Sequence, residues 1–154
     1  MPWEDLIMKP AGIAVRGVEA FIDLVVCYVM LYVVAAITGK TIEGGGFNLT
    51  GAPFIVGVGL CLAYYIVLEA TWGATLGKLA TNLRVVREND GGPIDWSASI
   101  IRNVLRLIDG LVLYMVGFIA ICASDKRQRL GDRAAGTIVV RRAVQPAPVA
   151  SKLM

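Results

Sequence analysis

The chain of 154 residues contains no histidine and only three cysteines. Without imidazole, the side chain that most often serves as general base or metal ligand near neutral pH is missing. Cys27, Cys61 and Cys122 lie in separate apolar runs, and no pair has metal-ligand spacing. A disulfide framework, a zinc site and histidine-based catalysis drop out together, leaving three thiols that read as small hydrophobes. Charge is scarce as well. Only 18% of residues are charged and 56% are hydrophobic, with a mean hydropathy of +0.67; a soluble domain holds about 25% charged and about 45–50% apolar residues. Aromatic residues are not interleaved with basic clusters, which excludes a nucleic-acid reader. The net charge of +3 sits mostly outside the apolar runs and suits an anionic membrane surface.

What is present are long apolar runs. The first, Val18 to Ile37, carries only Glu19 and Asp23 as charges; the second, Ala52 to Leu68, carries none; the third, Leu107 to Ala123, has Asp109 near its start. A bilayer core needs about 20 helical residues, and about 17 suffice. Gly57, Gly59, Cys61 and Ala63 give the second run small side chains for close helix packing, and Trp72 follows it as an interfacial anchor. The expected fold is therefore an all-α membrane protein. It is a small transmembrane helical bundle of three apolar segments, with a short cytoplasmic β-like element built from Leu83–Arg87 and Thr137–Val140. Residues 1–11 form an N-terminal segment, 12–141 the membrane domain and 142–154 a disordered Pro/Ala tail. Ser97 is expected to cap the helix that follows the polar loop.

Counting Lys and Arg sets the orientation. Three plain crossings divide them seven against eight, which gives no preference. If the termini share a side with the loop 73–99, the division is fourteen against one, Lys40 being the exception. Both termini are then cytoplasmic and the third segment dips and returns, breaking near Gly110 or Gly117. The alternative is three simple crossings. A chain this small is expected to work as a homo-oligomer or within a larger membrane assembly.

Charges inside apolar helices are costly and are usually paired. Arg16, Glu19 and Asp23 fall on one face of the first helix, and Arg102, Arg106 and Asp109 on one face of the third. Such seams either fix the packing register or hold a cation or proton relay. Asp23 is expected to pair with Arg16, Arg102 or Arg106, and the interhelical arginines are the better placed. Glu69, ending the second run, is expected to face the headgroups. The segment Gly73–Lys78 is no phosphate loop, since three residues separate its glycines and Leu79 follows the lysine. Thr75, Gly77 and Lys78 read instead as a membrane-surface turn with Lys78 snorkelling to the headgroups. Asp132, flanked by Arg129 and Arg133, is expected to bridge one of them and to tie the tail to the 73–99 element.

Arg16 and Asp23 in the first membrane helix, the Thr75–Gly77–Lys78 segment running into Leu-Arg-Val-Val, and the closing Arg-Leu-Gly-Asp-Arg-Ala-Ala-Gly-Thr-Ile-Val-Val resemble the RDD family of small membrane proteins. The resemblance covers roughly residues 12 to 141 and assigns Arg16, Asp23 and Asp132 as the arginine and two aspartates of the family's name. Family members often carry histidine before the last aspartate, where this chain has Gly131. The resemblance implies an integral protein of a bacterial or archaeal cytoplasmic membrane, in contact with the lipid bilayer. Two functions are expected from it. One is transport of cations, protons or small solutes, with Asp23 and Asp109 as sites; the other is a non-catalytic accessory or scaffold subunit of a larger complex. No nucleophile–base pair, metal cluster or cofactor loop supports an enzyme, so no cofactor is expected.

Overall fold

A computed structural model of the chain describes residues 11–111 and 128–141. Among the described residues nine elements follow one another: α1 (Ile13–Ile37), a small hairpin of β1 (Thr41–Ile42) and β2 (Gly46–Phe47), α2 (Ala52–Trp72), α3 (Leu76–Ala80), β3 (Leu83–Arg87), α4 (Trp96–Leu111), α5 (Leu130–Ala134) and β4 (Thr137–Arg141).

The first two helices reproduce the first two apolar runs, and both are long and apolar enough to cross a membrane. Their exposure is inverted relative to a soluble helix. On α1 the buried side chains are Arg16, Glu19 and Asp23, joined by Val34 and Ala35, while Val18, Phe21, Leu24, Val25 and Val29 are exposed. Such a helix is stable when its apolar side meets lipid and its charges meet protein. On α2 only Gly57 and Glu69 are buried. A Cβ on Gly57 would lie 2.6 Å from the Leu31 side chain, so this glycine sets the closeness of the two helices. Of the expected small-residue face, Cys61 also meets α1, its thiol pointing to the Cys27 carbonyl, but Gly59 has open space around it. The hairpin closes the far end, with Phe47 against Tyr28 and Tyr32.

α2 stops at Gly73, which takes the left-handed conformation (φ 69°) and donates its N–H to the Glu69 carbonyl. A side chain there would be strained, and the glycine turns the chain sharply into α3. Thr75 caps α3, and Asp95 rather than Ser97 caps α4: its carboxylate accepts the Ala98 N–H at 2.8 Å.

The two β-like stretches pair with each other. β3 and β4 are antiparallel with Leu83 opposite Arg141 and Val85 opposite Val139. Ala11 donates to the Val139 carbonyl at 2.9 Å, so the entrance of α1 is fastened to β4. Leu83, Val85, Ile94, Ala98, Val139 and Ala11 form the apolar core of this cap. α4 lies against α2 and α5, burying Ser99, Arg102 and Asn103 and exposing Trp96, Ile100, Val104 and Leu107. The third apolar run begins inside α4. The chain stays helical through Gly110 to Leu111, so no break falls at Gly110 itself; the rest of the run, the break expected near Gly117, Cys122, the Asp109 side chain and the tail 142–154 lie outside the described residues.

Candidate functional site: a buried ion-pair lattice

The charged residues of α1 lie in its first half, and Glu69 lies near the end of α2, so antiparallel packing brings them to one end of the helix pair. There they meet α3, α4 and α5. Lys78 donates to Glu19 at 2.6 Å and lies 3.0 Å from Glu69. Arg102 reaches Glu69 at 3.2 Å and Asp132 at 3.0 Å. Arg16 closes the other side of Asp132 at 2.9 Å, and Arg106 lies 3.7 Å from Glu19 while covering the Tyr65 ring. Each of Glu19, Glu69 and Asp132 thus bridges two cations. Neutral groups complete the lattice: Asn103 donates to Glu69, and Arg102 donates to the Thr137 hydroxyl.

Asp23 departs from expectation. No arginine touches it among the described residues. Its carboxylate, fully buried, accepts from the Thr75 hydroxyl at 2.6 Å, the Gly77 N–H at 2.8 Å and the Tyr64 hydroxyl at 2.8 Å. The reason is register: α3 docks over the second turn of charged positions on α1, so Thr75 and Gly77 arrive at Asp23 while Lys78 reaches Glu19. Gly77 permits that approach. A Cβ on it would strike the Glu19 carbonyl and come within 2.8 Å of the Asp23 carboxylate.

Three further expectations are corrected. Lys78 does not snorkel; it is 2% exposed and held between two carboxylates. Glu69 does not face the headgroups but is fully buried at the lattice centre. Asp132 forms ion pairs with Arg16 and Arg102 rather than with Arg129 or Arg133; from Arg129 it takes only the backbone N–H at 3.2 Å, and Arg133 is exposed. Burial by itself would raise the Asp132 pKa, but Arg102, Arg16 and Arg129 outweigh it and hold the carboxyl well below the usual range. Burial likewise opposes charge on Arg102, and Asp132 and Glu69 reverse the effect. Gly131 sits where α5 crosses α4: a Cβ there would lie 2.7 Å from the Arg102 carbonyl. Side chains larger than hydrogen have no room at that position unless α5 shifts.

The lattice encloses a cavity of about 20 Å³, room for about one water. Five cations, Arg16, Lys78, Arg102, Arg106 and Arg129, and two carboxylates, Glu19 and Asp132, stand in its wall. Among the described residues no group of three acidic or sulfur side chains is placed to hold a metal ion.

Two helices long and apolar enough to cross a membrane, with their charges buried against a cap, are the build of a small helical membrane protein. A model of the RDD family matches residues 10–136, and the chain belongs to that membrane family. It is also similar to a proline-rich antigen homolog of Mycobacterium tuberculosis, 33% identical over 72 residues, which is 47% of this chain and 30% of that protein. A proline-rich antigen of Mycobacterium leprae is 29% identical over 46% of this chain and 28% of its own length. An uncharacterized protein of Haemophilus influenzae is 28% identical over 64% of each chain. The chain thus spans less than a third of the length of the mycobacterial relatives it matches. No solved structure matches it.

Proposed function

We propose that this protein is a non-catalytic accessory or scaffold subunit of the cytoplasmic membrane, in which α1 and α2 cross the bilayer and the cap presents a rigid surface to a larger assembly or to further copies of the chain. The observation that carries this reading is the bridging of Glu19, Glu69 and Asp132, each between two cations. A carboxylate that loads and releases a cation must be free to exchange partners, and moving any one of these three breaks contacts to two cations at once. The cap is placed on the cytoplasmic side because the loop 38–51 at the other end holds a single Lys, Lys40.

A second reading, cation or proton transport, rests on Asp23. Its contacts, Tyr64, Thr75 and Gly77, are all neutral donors, so it can gain or lose a proton without breaking an ion pair. Purified protein reconstituted into vesicles with an imposed proton or sodium gradient separates the two. The scaffold reading expects vesicles as tight as protein-free ones, and a stoichiometric complex in native membranes solubilised in mild detergent. A gradient collapsed by wild-type protein but held by Asp23→Asn overturns it in favour of transport.

A further inference from the structure

Among the described residues the lattice does not balance. Arg16, Lys78, Arg102, Arg106 and Arg129 face Glu19, Asp23, Glu69 and Asp132, leaving one positive charge over. The surplus can be located. Four of the cations contact a carboxylate, but the Arg129 guanidinium makes no ion pair and donates no hydrogen bond among the described residues, although it stands in the cavity wall. Burial and the neighbouring Arg106 and Arg16 disfavour its charge and outweigh the attraction of Glu19 and Asp132, neither of which the guanidinium touches. An arginine in such surroundings is short of an anion. Of the five cations lining the cavity, Arg16, Lys78 and Arg102 are buried and Arg106 and Arg129 half-buried, which places the cavity's mouth beside these last two.

We propose that this mouth binds a phosphoryl group, one oxygen seated in the cavity and the others held across the rim by Arg106 and Arg129. Guanidinium forks match phosphate oxygens in pairs, and a volume of one water suits one such oxygen and no larger group. The surroundings supply the ligand. Beside Arg106, α4 turns Trp96, Ile100, Val104 and Leu107 outward, an apolar stripe on a helix whose other side is polar. Such a helix lies along the lipid boundary, at the depth of headgroup phosphates. A phospholipid headgroup and free inorganic phosphate offer the same chemistry, and the site does not depend on whether the protein is a scaffold or a transporter.

The test uses the full chain in neutral detergent. Dioleoylphosphatidylglycerol is titrated while bound lipid is counted by native mass spectrometry and the melting temperature is followed, with dioleoylglycerol as the phosphate-free control. Phosphatidylglycerol should bind and raise the melting temperature of the wild-type protein, and dioleoylglycerol should do neither. Arg129→Gln should weaken the binding about tenfold or more, and Arg129→Lys should weaken it less. Unliganded Arg129→Gln should melt no lower than the wild type, since it relieves an uncompensated charge. Displacement of the lipid by millimolar inorganic phosphate identifies free phosphate as a ligand; no displacement identifies the headgroup as the source. Equal binding of the two lipids, or undiminished binding by Arg129→Gln, overturns the proposal.

Discussion

Each lattice residue differs in what its loss leaves behind. Asp132→Asn would remove the carboxylate from the Arg16 ion pair and leave Arg102 with Glu69 as its one carboxylate among the described residues, and breaking a buried pair costs about 3–5 kcal/mol. We expect a lowered melting temperature in detergent and a poor folded yield, with part of the loss recovered when Arg16 is also neutralised. Acid should act in the same way. Because the folded pKa of Asp132 is depressed, its contribution is complete above its unfolded value of about 3.9 and is lost as pH falls below it. The melting temperature should therefore drop on acidification below about pH 4, and the Asp132-dependent part of the drop should vanish in Asp132→Asn. Gly77→Ala tests the close approach of α3 to α1. Its methyl group must push aside the Glu19 carbonyl or the Asp23 carboxylate, and overpacking of this kind costs about 1–3 kcal/mol. An unchanged melting curve for that variant would show that α3 can slide. At this scale the sequence singled out Arg16, Asp23, Asp132, Arg102 and Arg106, of which only Asp23 stands inside an apolar run, where charge is conspicuous; the fold buries four of them and half-buries Arg106. The sequence misassigned their partners. The span from Arg16 to Asp132 is 116 residues, and nothing local at Asp132 distinguishes distant arginines from adjacent ones.

At the level of elements, period and punctuation were legible. The first two runs became α1 and α2, and Leu83–Arg87 and Thr137–Arg141 became a paired ribbon, since apolar length and β-branched residues bounded by glycine are local signals. The docking of α3 was not legible, because Lys78 beside a membrane helix looks the same whether it faces headgroups or buried carboxylates. The α1–α2 contact turns on Gly57. Gly57→Val would drive the helices apart at Leu31, and hydrogen exchange of the α1 backbone should then rise around Leu31 while the cap ribbon stays protected. Exchange rising equally in β3 and β4 would mean that helix pair and cap open as one unit.

For the whole molecule, the helix pair places its connecting hairpin at one end and every charged contact of the lattice at the other. Reporter fusions after Gly45 should lie on the opposite side of the membrane from fusions at Met1. A reporter after Gly45 found on the same side would remove the two crossings on which the orientation rests. The arrangement also has a consequence in time. Arg16 enters the membrane early in synthesis, yet its carboxylate, Asp132, is made 116 residues later and the ribbon strand holding Ala11 later still. Until then Arg16 must wait in water, in the insertion machinery or against lipid phosphates, and a chain stopped before Asp132 lacks that carboxylate. Closing the Arg16–Asp132 pair therefore marks a chain whose cap has been made, and a membrane protease that recognises exposed charge could sort capped copies from uncapped ones by that mark alone.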